Sequence, residues 1–116
     1  MKVRVFHWVH FLIKGGVTMI NLGIIIGEHN PNNSQKVILN YIVDLFNPDN
    51  IYTSKHFLLK NKNIGKKFSK NYILNCSNLI VILDESFKIE VFNNDVIIIL
   101  IKSSGDYKIL SYKAPL

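Results

Sequence analysis

Ile20-Asn21-Leu22-Gly23-Ile24-Ile25-Ile26-Gly27 is the stretch on which the fold turns. It is almost continuously apolar, rich in β-branched isoleucine, short, and closed by a glycine. A strand with one wet face would alternate apolar and polar residues, so this run predicts a strand buried on both faces, as in a parallel sheet. Glu28-His29-Asn30-Pro31-Asn32-Asn33 follows, a dense run of turn formers. Ser34 then stands where its hydroxyl can accept from an N–H of a first helical turn. Val37, Ile38, Tyr41, Ile42, Leu45 and Phe46 recur at three- and four-residue spacing, which predicts one apolar stripe on a helix of about three turns. Asn47-Pro48-Asp49-Asn50 ends it.

The alternation continues outward. Ile51-Tyr52-Thr53 reads as a short strand, and Ser54 as the cap of a helical turn over Lys55–Leu59. Asn61–Gly65 breaks the pattern. Lys66–Cys76 resumes helical spacing, with Phe68, Tyr72, Ile73 and Cys76 on one side. Asn78–Leu83 and Val96–Ile101 are further strongly apolar strands. Between them, Phe87–Phe92 alternates like a strand that Asn93-Asn94-Asp95 would close into a hairpin; a short crossover helix is the alternative. Ser103-Ser104-Gly105-Asp106 is a hairpin turn. It returns Tyr107–Tyr112 antiparallel, with Tyr107, Ile109 and Ser111 on one face and Lys108, Leu110 and Tyr112 on the other. Strands that alternate with helices imply a parallel sheet with crossovers. The expected fold is therefore α/β: a small three-layer, flavodoxin- or Rossmann-like sheet, mostly parallel in the order 2-1-3-4, with an antiparallel C-terminal edge strand. An α+β domain ending in a meander is the alternative.

A chain of 116 residues is one domain. Lys14-Gly15-Gly16 can be encoded AAA-GGA-GGT, a bacterial ribosome-binding site, with Val17-Thr18 as spacer and Met19 as start. Residues 1–18 are thus expected to be a translated leader or an N-terminal extension outside the core, and 19–116 the single domain. A first strand over Val3–Val9 is the competing reading. Heavy use of Ile, Asn and Lys, whose codons are AT-rich, fits a low-GC bacterial genome. The net charge is +6, but Lys2, Arg4 and Lys14 fall in residues 1–18 with no acid, which leaves 19–116 near +3. Val5–Ile13 is interrupted by His7 and His10 and is far shorter than the ~20 residues of a spanning helix. No small-residue cleavage site follows it, so neither a membrane segment nor an export signal is expected. Cys76 is the one cysteine; with no internal disulfide possible, a reducing cytoplasm is the expected location and a buried structural thiol its expected role.

Ligands of open parallel sheets bind beyond the carboxyl ends of the strands, where the strand order reverses. Two polar clusters fall there: Glu28, His29, Asn30, Asn32, Asn33 and Ser34 after the first strand, and Asp84, Glu85 and Ser86 after the third. Thr53 and Ser54 lie one strand away. Amide N–H groups and the dipole at a helix start favour an anion, although the loop lacks the glycines of a Walker or dinucleotide fingerprint. A capped turn with no ligand accounts for the same residues. Glu28 and Asp84 are candidates for a carboxylate pair in acid or nucleophilic catalysis; as solvated strand-end acids they would have no such role. His29 is a candidate base or a plain surface residue. No Cys/His spacing suits a metal. Lys55, Lys60, Lys62, Lys66, Lys67 and Lys70, interleaved with Phe57, Phe68 and Tyr72, suggest a polyanion partner. A solvated face with its rings in the core is the simpler account, and the absence of Arg from this run weighs the same way.

Leu22–Pro31 resembles the first strand and loop of nucleotidyltransferase-like ligases, which read Gly-Ile-Ile-x-Glu-x-Asn-Pro. That family's His-x-Gly-His phosphate motif is replaced here by Asn32-Asn33-Ser34-Gln35-Lys36, so its activity does not carry over. Cys76–Leu83 followed by Val96–Ile101 is similar to the middle of TIR-like and nucleoside deoxyribosyltransferase-like domains. That resemblance implies a flavodoxin-like sheet and a nucleotide-like ligand, without their catalytic Glu motif. The expected function is a small cytoplasmic α/β domain, regulatory or accessory, that binds a nucleotide-like or other anionic small molecule. The alternatives are an interaction module that joins a partner or a second copy through the Tyr107–Tyr112 edge, then a hydrolase or glycosyl-transferring enzyme using Glu28 or Asp84. Nucleic-acid binding ranks last.

Overall fold

The computed structural model describes residues 19–60, 62–88 and 95–113. Its elements are β1 (Asn21–Ile25), α1 (Asn33–Phe46), β2 (Asn50–Thr53), β3 (Phe57–Leu59), β4 (Lys62–Ile64), α2 (Lys70–Cys76), β5 (Leu79–Ile82), β6 (Val96–Ile101) and β7 (Tyr107–Tyr112). One five-stranded sheet has the order β2-β1-β5-β6-β7. Its first four strands are parallel and β7 is antiparallel, in the arrangement the sequence implied. Residues 1–18, on which the expected leader and the Val3–Val9 strand fall, lie outside the described ones.

Side chains alternate across the sheet, which sorts the apolar runs into two cores. Leu22, Ile24, Leu79, Val81, Ile99 and Ile101 face α1, where Ile38, Leu39, Ile42, Val43 and Phe46 meet them. Ile25, Ile80, Ile82, Val96 and Ile98 face the other way, against Ile73 and Leu74 of α2. That is why the central strands read as unbroken apolar runs. Gly23 lies on the α2 side of β1, where a Cβ would stand 2.5 Å from both Ile73 Cγ2 and Ser77 Oγ. The helix is seated directly on the strand's backbone.

Four local expectations change. Helix α1 is capped by Asn32 and not by Ser34. The Asn32 side chain accepts from Gln35 N, and the Gln35 side chain accepts from Asn32 N, a reciprocal capping box. Its buried flank is Leu39 and Val43, while Val37 is 60% exposed. Apolar residues sit on both sides of the Ile38–Ile42–Phe46 line, and only the position of the sheet selects between them. Lys55–Leu59 holds no helical turn: Phe57–Leu59 pairs antiparallel with Lys62–Ile64, burying Phe57, Leu59 and Ile64. Lastly, α2 begins at Lys70, because Ser69 caps it by accepting from Tyr72 N at 3.1 Å. Upstream, Phe68 N donates to Thr53 O at 2.8 Å, which holds the chain extended beside β2.

The segment Phe87–Phe92 is described only in part. Phe87 and Lys88 belong to neither helix nor strand. Residues 89–92, and with them the choice between a strand and a crossover helix, lie outside the described residues.

Candidate functional site

The chain leaves β1 for β2 on one side and returns as β5 on the other. Loops leaving the carboxyl ends of β1 and β5 therefore diverge, and a crevice opens between them. A cleft of about 530 Å³ lies there, within the ~300–1,000 Å³ typical of small-molecule sites.

Backbone ties bring the walls to this point. Ile26 N donates to Ser54 Oγ at 2.9 Å, which anchors the β1 loop to the end of β2. Leu83 N donates to Ile25 O at 2.8 Å, so β5 stays beside β1 up to the floor. Gly27 admits the Asp84 side chain: a Cβ there would stand 2.8 Å from Asp84 Cγ. Asp84 Oδ1 accepts from Ser86 N at 3.0 Å and Ser86 Oγ at 2.6 Å, closing the turn after β5.

The far wall is a chain of hydrogen bonds. Glu85 Oε1 accepts from Ser103 N at 2.9 Å and Ser103 Oγ at 3.1 Å. Ser103 O accepts from Asn32 Nδ2 at 2.7 Å. Gln35 Nε2 donates to Ile101 O at 3.0 Å. The loops after β5 and β6 and the start of α1 are thereby stitched together. The amide and hydroxyl of Ser103 hold the Glu85 carboxyl below its usual range, with Lys102 adding to the effect. That direction keeps Glu85 ionised, which suits an acceptor of hydrogen bonds and not a proton donor.

Glu28, His29, Asn30, Asn32, Asp84, Glu85 and Ser86 all line the cleft, as do Gly27, Gln35, Leu83 and Ser103. Asn33 and Ser34 do not; Ser34 lies against the β6–β7 turn, where a Cβ on Gly105 would meet Ser34 Cβ at 3.2 Å. Thr53 and Ser54 also stay out of the lining: Thr53 Oγ1 donates to Lys55 O, and Ser54 serves as the loop anchor. Gln35 was legible in the sequence as the third residue after a capping Asn32. Nothing local marked Ser103, which arrives because β6 lies beside β5.

The lining carries three carboxylates, Glu28, Asp84 and Glu85, and no Lys or Arg. Asn32 and Gln35 already engage the first turn of α1. The cleft therefore offers acceptors for hydroxyl and amino groups more than a seat for a bare anion. An adjoining cavity of about 340 Å³ shares Asp84 and Glu85 and is floored by Ile82, Leu100 and Phe87. Among the described residues no group of three or more His, Cys, Asp or Glu could hold a metal ion. Among them, too, no helix is long and apolar enough to cross a membrane. No protein-family model, curated protein or solved structure matches the chain.

Proposed function

We propose that this chain is a flavodoxin- or Rossmann-like binding domain that takes a nucleotide-like small molecule in the cleft between β1 and β5, in a regulatory or accessory role. The observation that carries this reading is position: a cleft of ligand size opens where the strand order reverses, beyond the carboxyl ends of β1, β5 and β6. The carboxylates favour recognition through the hydroxyls of a sugar over recognition of phosphate alone. A thermal-shift screen of nucleosides, nucleotides, flavins and inorganic phosphate tests it. A ligand at 100 times its Kd stabilises by about 2.7 kcal/mol. The shift should vanish in Glu28→Gln or Asn30→Ala while the parent Tm is kept. If phosphate alone shifts the protein as far as any nucleotide, the anion reading stands instead. If none of the probes shifts it, the cleft is not a nucleotide site.

A second reading, an interaction module, rests on β7. Lys102 N donates to Asp106 O at 2.8 Å. Antiparallel alternation then turns the amides of Lys108, Leu110 and Tyr112 toward β6 and those of Ile109 and Ser111 outward. Ile109→Pro removes only an outward donor, so the domain should stay folded. A changed elution volume in size-exclusion chromatography would support assembly through β7, and an unchanged one would count against it.

A further inference from the structure

No Asp or Glu occurs between Asp49 and Asp84, a span that holds Lys55, Lys60, Lys62, Lys66, Lys67 and Lys70. Two of these lysines are engaged elsewhere: Lys60 pairs with Asp44 at 3.9 Å, and Lys55 Nζ donates to Glu28 O. Lys66, Lys67 and Lys70 are exposed. They flank a cluster of rings on the α2 face of the sheet. Phe68 and Tyr72 are stacked with centroids 4.9 Å apart, and Tyr52 of edge strand β2 meets both edgewise, at 4.9 and 5.3 Å. Lys66 Nζ lies 5.4 Å from the Phe68 centroid, and Lys70 Nζ 4.7 Å from that of Phe87. Phe57 is in the core as expected, but Tyr72 is 44% exposed. The rings of this segment are therefore not all buried, and among the described residues Lys66, Lys67 and Lys70 make no ion pair with an acid.

We infer that this face binds single-stranded nucleic acid without sequence preference. Unpaired bases offer flat π-faces to an exposed ring while their phosphates meet nearby lysines, which is the general basis of sequence-tolerant strand binding. A partner recognised by charge alone would need no ring cluster. A lipid surface would need several exposed aliphatic side chains to enter it, and among the described residues of this span Leu58 is the one exposed large aliphatic, with Tyr72 the exposed ring. With no Arg here, the bidentate pairings that read base edges are missing, so the binding is indifferent to sequence.

The test is fluorescence anisotropy of the full chain with a short labelled oligothymidylate across a salt series, with heparin and phosphatidylserine vesicles as competitors. Affinity should fall linearly on a log–log salt plot. In Lys66→Gln and Lys67→Gln the slope should shrink by about 0.7 for each phosphate no longer neutralised. Tyr72→Ala should weaken binding by roughly fivefold or more with the slope kept, and Tyr72→Phe should restore it. The proposal is overturned by full affinity in Tyr72→Ala, by competition from heparin or vesicles at equal charge concentration, or by no binding at low salt. The lysine variants alter surface side chains only, so they remain informative even if Tyr72→Ala fails to fold.

Discussion

Gly23→Ala is the sharpest test of how the α2 layer is seated. The new methyl would lie 2.5 Å from Ile73 Cγ2, 2.5 Å from Ser77 Oγ and 3.1 Å from Ser77 Cβ. Ordinary carbon contacts lie at about 3.5–4.0 Å, so the helix or the Ile73 side chain must give by roughly 1 Å. Neither has room: Ile73 is fully buried and Ser77 is 2% exposed. Overpacking of this kind costs about 1–3 kcal/mol, and the lower unfolded-state entropy of Ala returns about 0.4–1 kcal/mol. The expected net loss is about 1–2 kcal/mol. It should be read as a lower urea midpoint at constant m, or as a Tm drop of about 4–8 °C per kcal/mol for a domain of this size. Ile73→Ala alone should cost about 2–5 kcal/mol. In the double variant the two losses should overlap by about 1 kcal/mol, because the methyl then occupies the space that Ile73 left. A Gly23→Ala protein within about 0.5 kcal/mol of the parent, or strict additivity in the double variant, would refute the reasoning.

Other outcomes follow from single interactions. Ser77 Oγ is buried with no hydrogen-bond partner, so Ser77→Ala should be neutral or stabilising by up to about 1 kcal/mol in urea unfolding; a clear loss would reveal a bond to that hydroxyl. Asn32→Ala removes both the cap on Gln35 N and the tie to Ser103 O, and should cost about 1–2 kcal/mol; Ser34→Ala, which caps nothing, should cost far less. The Glu85 carboxyl should titrate below an ordinary glutamate when followed by carboxyl NMR. Its contribution to stability is then present above the unfolded-state pKa and is lost as pH falls through the folded one. Ser103→Ala keeps the amide donor and should raise the midpoint only part of the way; a parent midpoint at or above the ordinary value would contradict the geometry.

Much of the sheet was legible because its information is local. Ile20–Gly27, Asn78–Leu83 and Val96–Ile101 are apolar on both faces, and that composition specifies a covered strand wherever it occurs. The C-terminal hairpin was legible too, since Gly105 adopts φ +91°, a conformation that Gly reaches at little cost. The β3–β4 hairpin was not, because Lys62-Asn63-Ile64 has the composition of a breaker and becomes a strand only when Phe57–Leu59 is beside it. The phase of α1 was ambiguous for a similar reason, with Val37 and Leu39 equally apolar and only the sheet able to choose.

The candidate cleft divides along the same line. Its β1 and β5 loops could be named from sequence, since strand ends and turn formers mark them. Ser103 and the bonds from Glu85 through Ser103 to Asn32 came only with the tertiary structure, because they join residues far apart in the chain. The aromatic and lysine face divides this way as well. Residue spacing placed the rings near the lysines, but whether Tyr72 pointed inward depended on where α2 began. Sequence alone determined which segments must be buried, because burial follows from apolar composition. Tertiary structure decided which polar groups meet, because that depends on strand order and on the rotation of each helix, which no single segment encodes.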